Sequence, residues 1–173
     1  NSIVASNILA CEAAKAEAEK RGYKTLILSS LIEGDTAATA FWHSRIAREI
    51  MQSGNPLPPP ACVLSGGETT VVVTGDGLGG RNMEYAMHAA VHIDGLEGVT
   101  MASIGTDGSD GPTDAAGALA DGLTLKASRE RGIDIRQYIN NNDSYHFHEK
   151  LGTLIKTGPT NTNTMDVRIL LVS

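Results

Sequence analysis

The chain has 173 residues, 41% of them apolar and 20% charged, with a net charge of −6 at pH 7. That length supports one domain with a real core, and that composition excludes an intrinsically disordered chain. The acidic balance excludes nucleic acid as the main partner, because a phosphate backbone demands a basic surface, yet it leaves room for a small anion held by a few placed donors.

Cys11 and Cys62 lie far apart and match no metal or redox spacing, so they are expected to be reduced and packed, as in a cytoplasmic protein. No apolar run reaches the roughly 18–20 residues of a membrane span, and no signal peptide is visible. A first residue of Asn1 rather than Met raises the expectation of a piece of a longer protein.

In chain order, residues 5–21 read as an Ala/Glu/Lys-rich helix ended by Gly22, and 24–30 as a buried strand. Asp35 is placed to cap the next helix, whose apolar residues Ala38, Phe41, Trp42, Ile46 and Ile50 recur at helical spacing. "GNPLPPP" (54–60) reads as a rigid connection and divides the chain into a lead-in (1–57) and a second unit (58–173). "ACVLSGGETTVVVTG" then predicts a strand, a Gly-Gly turn and a second, β-branched strand.

A helix follows from Asn82 to about Ile93. Its apolar stripe is Met83, Ala86, Met87, Ala90 and Val91, with Glu84, His88 and His92 on the opposite, solvated face. Residues 99–108 read as a buried strand ending in a polar turn, and 114–121 are ambiguous. Helices are expected over 121–131, 135–141 and 144–155, a polar loop over 157–163, and a closing strand over 166–173. Strands alternating with helices predict an α/β fold with a mainly parallel or mixed sheet flanked by helices.

Four stretches could carry chemistry. Gly75, Gly77 and Gly80 spell G-x-G-x-x-G, the dinucleotide fingerprint. The ribose-binding acid expected about 20 residues on is misplaced, since Asp94 precedes the next strand and Asp107 comes too late. The alternatives are a plain strand-to-helix turn and an anion-binding loop whose amides, Gly79 among them, face a ligand at a helix N-terminus beside Arg81. "SGGETT" offers Ser65, Gly66, Gly67, Glu68 and Thr69 either as a tight turn or as anion donors. "GTDGSDGPTDAAG" places Thr106, Asp107, Asp110 and Asp114 past a strand's C-terminal end, where carboxylates can hold Mg²⁺ or take a proton from a hydroxyl. "TGPTNTN" supplies Thr157, Thr160 and Asn161 as short donors or as a turn. Glu84, His88 and His92, and likewise Asp143, His146 and His148, have no third-ligand context for a metal.

Three ordered segments, "SGGETTVVVTGDGLGGRNMEYAM", "GTDGSDGPTDAAGALADG" and "TGPTNTNTMDVRILL", closely resemble the C-terminal (MOFRL) part of the class II glycerate kinases, and "ASNILACEAAKAEAEKRGY" resembles the segment before it. Members of that family also go under the name hydroxypyruvate reductase. The resemblance implies two α/β domains with the site between them, and ATP-dependent phosphorylation of D-glycerate to 2-phosphoglycerate with Mg²⁺. It implies that this chain is roughly the C-terminal two-fifths, inactive without an N-terminal kinase domain that bears a catalytic lysine.

Arg81 matches the arginine of the family's G-G-R-N motif, with Asn82 and Glu84 completing it. The resemblance implies that Arg81 binds substrate or stabilises the transferring phosphoryl group and that "GTDGSDGPTD" lies at the cleft; Arg81, Asp107 and Asp110 are the expected catalytic residues, with Asp107 or Asp110 expected to hold Mg²⁺ or orient the substrate hydroxyl. Leu78 and Met83 depart from the arginine and glutamine that many relatives carry. A nicotinamide-dependent hydroxypyruvate reductase and a non-catalytic anion-binding module are the alternatives; a homodimer is a further expectation.

Overall fold

The computed structural model describes residues 6–173; the first residue of the helix expected from residue 5 lies outside them. Helix α1 spans Asn7–Lys20 and ends at Gly22, whose φ of 89° favours a residue without Cβ. Strand β1 (Lys24–Ser29) follows, then the two-residue β2 (Gly34–Asp35). Asp35 caps α2 (Thr36–Ser53) by accepting the Ala38 N–H at 2.7 Å.

Beyond it come β3 (Ala61–Gly67), β4 (Thr69–Thr70), α3 (Arg81–His92), β5 (Val99–Gly105) and β6 (Gly117–Asp121). Three short helices follow, α4 (Thr124–Glu130), α5 (Ile135–Asn140) and α6 (Ser144–Leu151), and the chain closes on β7 (Leu154–Ile155) and β8 (Asp166–Val172).

The main sheet runs β1-β3-β8-β5-β6-β7, with β2 and β4 forming a separate parallel pair. Only β1 and β3 pair in parallel in the main sheet; the other four pairings are antiparallel. A parallel neighbour requires a crossover, which α2 provides between β1 and β3. Helix α3 likewise connects β3 to β5, but β8 inserts between them and runs antiparallel to both. The sheet is therefore mixed, the second form of the sequence expectation.

One sheet face carries Val63, Val99, Met101, Leu170 and Val172 against Ala40, Ala47, Tyr85 and Ala89 of α2 and α3. Helix α1 covers the other face over β1, β3 and β8. No helix among the described residues is long and apolar enough to cross a membrane. Cys11 and Cys62 are free and buried.

Three local expectations change. The apolar stripe expected for α2 holds only in its second half: Ile50 is buried and Ile46 packs on the core, but Phe41 and Trp42 (65%) are exposed while Ala40, His43, Ser44 and Ala47 are buried. Small residues win that face because α2 packs closely on α3, and His43 Nδ1 lies 2.7 Å from the Tyr85 hydroxyl oxygen. Helix α3 is buried on nearly every side, so Glu84 is not on a solvated face.

The strand expected over "TTVVVTG" stops at Thr70. Val72 and Val73 are each 71% exposed, and Gly66 and Gly67 are the last residues of β3 rather than a turn.

One long-range contact fastens α1 to the end of β8. Asn7, at the start of α1 and 4% exposed, donates from Nδ2 to the carbonyls of Thr164 (2.7 Å) and Asp166 (2.8 Å). Its side chain fills the place that a Cβ on Gly66 would need. Asn7→Ala is expected to lower the unfolding free energy by about 1–3 kcal/mol, read as a lower urea midpoint at unchanged slope.

Candidate functional site

Three strands end in register at the N-terminus of α3. Asp166, the first residue of β8, pairs with Gly67 on one side and Gly105 on the other. Two glycine neighbours leave its carboxylate uncrowded on the sheet face beneath α3. The carboxylate is fully buried and accepts from Arg81 Nε (Oδ2, 2.7 Å), Arg81 Nη2 (Oδ1, 3.0 Å) and Asn82 Nδ2 (Oδ1, 3.0 Å). Two parallel bonds to a planar fork fix the guanidinium's orientation. Arg81 keeps its third nitrogen, Nη1, for the surface, where it meets Glu68 Oε1 at 2.9 Å. The Asp166 hydrogen bond holds the Arg81 pKa above its ordinary value, against the pull of partial burial.

Behind Asp166 lies Arg168, 1% exposed, with Nη2 3.4 Å from Asp166 Oδ2 and 3.0 Å from Thr69 Oγ1. Its Nε and Nη1 have no hydrogen-bond partner among the described residues.

Asp110 occupies the position at the helix N-terminus that a ligand anion was expected to take. Its Oδ1 accepts the Asn82 amide and Asn82 Nδ2, both at 3.1 Å, and its Oδ2 accepts the Met83 amide at 2.8 Å. A carboxylate from a distant loop therefore satisfies the orphan amides of α3. Burial pushes the Asp110 pKa up to about 6; these three bonds pull it down, and nearby Asp166 adds to the rise. Asn82 completes the cluster by accepting from Ser103 Oγ at 2.5 Å.

The glycine loop is also committed internally. Asn142 Oδ1 accepts the amides of Thr74 (2.7 Å) and Gly75 (3.1 Å). Asn141 takes those of Asp76 through Oδ1 (3.1 Å) and Gly77 through its carbonyl (2.8 Å), and Asp143 Oδ1 takes that of Leu78 (3.0 Å). Five successive amides are thus satisfied by "NND" at 141–143. This corrects the expectation of a loop with its amides open to an anion. It also removes the dinucleotide context, since no strand leads directly into the glycines. Among the described residues, the Gly79 and Gly80 amides carry no protein hydrogen bond. Both residues lie too close to Ser144 and Asp110 to carry a Cβ.

A cleft of about 620 Å³ opens over this wall, and Glu68, Thr69, Gly79, Gly80, Arg81 and Glu84 line it, with Gly77 at its edge. Glu84 is 4% exposed, with Oε1 at 3.4 Å from Asn142 Nδ2 and 3.5 Å from His88 Nε2. Val73, 71% exposed, also lines the cleft, with equally exposed Val72 next to it in the chain.

The other expected residues lie outside the lining. Ser65 is buried, its Oγ 3.4 Å from His43 Nε2. Gly66 and Gly67 are close-packed on Asn7 and on the Ile32 backbone. Gly75 is clamped by Asn142, and Asn82 is fully buried. Asp107 Oδ1 accepts the Ser109 amide at 2.9 Å, an Asx turn. Thr106 Oγ1 donates to the Met165 carbonyl at 2.8 Å, and Thr160 folds onto the Thr106 and Asp107 carbonyls. Thr157 and Asn161 belong to that same turn.

Asp110 has both oxygens committed, and Asp107 lies outside the cleft. No group of three or more His, Cys, Asp or Glu among the described residues converges as a metal site. Among the described residues, no third His, Cys, Asp or Glu joins these two aspartates. Nor do Asp143, His146 and His148 form a cluster: Asp143 pairs with His146 at 2.6 Å, while His148 is buried between Thr153 and the Met83 carbonyl. Burial holds His148 down to about 4, so it is neutral at physiological pH.

The MOFRL family model matches residues 61–166, more than half of the chain. The chain belongs to the MOFRL family. The MOFRL segment runs from the first residue of β3 to Asp166 itself, so it contains every cleft-lining residue named above. The chain is 43% identical over 162 residues to the D-glycerate 2-kinase of Thermotoga maritima, covering 94% of this chain and 39% of that protein. It is 41% identical to the glycerate 2-kinase of Pyrococcus horikoshii, covering 100% of this chain and 39% of that protein.

A crystal structure of the Thermotoga maritima glycerate kinase superposes with a TM-score of 0.95 at 42% identity, over 97% of this chain and 41% of that one. Other relatives, among them one from Agrobacterium vitis, carry a hydroxypyruvate reductase name. The chain spans about two-fifths of the length of the relatives it matches.

The raised pKa of Asp110 fixes a sign for the pH dependence of stability. Its folded value of about 6 lies above its ordinary value of 3.8. The folded state therefore holds the proton more tightly, and the stability this brings is complete below about pH 4 and lost as pH rises through 6. The unfolding free energy of the wild type minus that of Asp110→Asn is expected to fall between pH 4 and pH 6.5, on the order of 2 kcal/mol, in denaturant titrations across that range.

Proposed function

We propose that this chain is the C-terminal part of an ATP-dependent glycerate kinase, cytoplasmic, which converts D-glycerate to 2-phosphoglycerate. On this reading residues 1–57 end the preceding segment of the enzyme and 58–173 form its MOFRL unit. The observation that carries the proposal is Arg81: two of its nitrogens are fixed by a buried carboxylate and the third is turned into a cleft. Phosphoryl transfer makes few demands on covalent chemistry and many on positioning and charge neutralisation. An arginine whose orientation is set before the ligand arrives meets that demand.

In the proposed reaction a glycerate hydroxyl attacks the terminal phosphorus of ATP and ADP leaves. Arg81 Nη1 neutralises charge on the glycerate carboxylate or on the phosphoryl oxygens in flight. The Gly79 and Gly80 amides lie in the same lining and are available to the same anion. Glu84, on the cleft wall and loosely held by Asn142 and His88, is available to the substrate hydroxyl. Any Mg²⁺ accompanying the nucleotide would need ligands beyond Asp107 and Asp110, since no third His, Cys, Asp or Glu joins them among the described residues.

The names of the relatives support the kinase class, and their greater length supports a second wall supplied by an N-terminal domain. Exposed Val73 in the cleft lining and its neighbour Val72 fit such a cover. A reductase reading requires a nucleotide-binding turn fed by a strand, whereas here the strand stops at Thr70 and the amides of residues 74–78 are taken by residues 141–143.

A full-length protein carrying this segment is expected to phosphorylate D-glycerate with ATP and to leave NADH and NADPH unoxidised in the presence of hydroxypyruvate. Arg81→Ala in that protein is expected to reduce kcat/KM by well over tenfold, about the cost of removing one preorganised charge-stabilising donor. The 173-residue chain alone is expected to show no turnover. A coupled ADP-release assay reads the kinase outcomes and nicotinamide absorbance reads the reductase control; an unchanged kcat/KM for Arg81→Ala contradicts the role.

A further inference from the structure

The guanidinium of Arg81 has one outlet to the cleft, and a residue of this chain is already on it. Asp166 holds Nε and Nη2, and Glu68 Oε1 sits 2.9 Å from Nη1. An incoming carboxylate or phosphoryl oxygen needs that nitrogen and would face the Glu68 charge at contact distance. We infer that Glu68 is an intramolecular stand-in for the ligand's anionic group, which must swing off Arg81 Nη1 before a carboxylate or phosphate binds and so sets the affinity of the cleft for anions. This rests on the reading of Arg81 as the ligand-binding cation, not on the kinase reaction.

The geometry confines the movement to one side chain. Gly67, at φ 122°, is pressed against the backbone of Ile32 closely enough that no Cβ fits. Thr69, 2% exposed, is tied by Arg168 Nη2 at 3.0 Å and by Thr36 Oγ1 at 3.0 Å. Glu68 is therefore pinned by its backbone on both sides, while its own side chain is about half exposed. A rotamer change alone releases Nη1, on the picosecond-to-nanosecond scale of exposed side chains.

The stand-in also accounts for the ligand-free state. Without it, a partly desolvated guanidinium nitrogen would face the cleft unpaired. The contact is weak enough to be exchanged, since a half-exposed ion pair contributes little. An anion must therefore outcompete a carboxylate that is always present at high effective concentration. Glu33 is the internal control: it lines the same cleft, is exposed, and forms no ion pair with Arg81.

The test is calorimetric titration of the 173-residue chain at low salt with inorganic phosphate and, separately, with D-glycerate. Wild type, Glu68→Gln, Glu68→Ala, Glu33→Gln and the double variant Glu68→Gln/Arg81→Gln are compared. Removing the Glu68 charge is expected to tighten binding of at least one of the two anions by about fivefold or more. The anion that gains identifies which group takes the Glu68 position. Glu33→Gln should gain clearly less, and the gain should vanish in the double variant.

Equal gains from Glu33→Gln and the Glu68 variants would reduce the effect to general charge and overturn the inference. So would unchanged or weaker binding of both anions in the Glu68 variants, or a gain that survives loss of Arg81. None of these readings involves turnover, so the kinase proposal can fail while this one stands, and the reverse.

Discussion

Everything in the candidate site depends on one buried charge, the carboxylate of Asp166. Taking an ionised carboxylate out of water costs several kcal/mol unless it is paired and its lone pairs are used. Asp166 meets that demand with the fork of Arg81, the amide of Asn82 and the edge of Arg168. Each partner is thereby oriented. Arg81 gains a fixed direction toward the cleft, and Asn82 bridges Asp166 and Asp110. Replacing the carboxylate would leave two cations short of a partner, one of them wholly buried. The topology serves this pair. Inserting β8 between β3 and β5 brings its first residue under the helix that connects those two strands.

A second principle is that donors commonly read as ligand sites are occupied by the protein itself. Asp110 sits at the N-terminus of α3, the amides of 74–78 are taken by Asn141, Asn142 and Asp143, and Nη1 of Arg81 rests on Glu68. The first two sets are buried or multiply bonded and are structural. The third is a single contact to a half-exposed side chain, and it is the one that can open. Magnitude separates them: a buried carboxylate with three N–H partners is costly to displace, and an exposed ion pair is not.

Much of this was legible in the sequence. The cap at Asp35, the α3 stripe of Met83, Ala86, Met87 and Ala90 (though not the exposed Val91) and the central place of Arg81 follow from spacing and side-chain chemistry. The capping of α3 by Asp110 was not legible, because a carboxylate in a glycine-rich turn reads the same whether it faces solvent or caps a distant helix. The α2 face was read only in part, Ile46 and Ile50 but not Phe41 and Trp42, because packing against α3 selects small side chains, which hydrophobic periodicity ignores. Asp166 and Arg168 left a usable signal: two charges at the first and third positions of "DVRILLV", an otherwise apolar central strand, must be paired to be buried there. The clamp of "NND" on the glycine loop left none, since its two halves lie more than sixty residues apart.

The central claim is that Asp166 orders the guanidinium of Arg81 before any ligand arrives. It is tested most directly by the side-chain Nε–H resonance of Arg81, assigned through Arg81→Lys, in the ligand-free chain and in Asp166→Asn. The account predicts a dispersed, slowly exchanging Nε–H in the wild type and a fast-exchanging one at the free-arginine position in a still-folded Asp166→Asn. An Arg81 Nε–H already in fast exchange in the wild type, or one unmoved by the substitution, would contradict it.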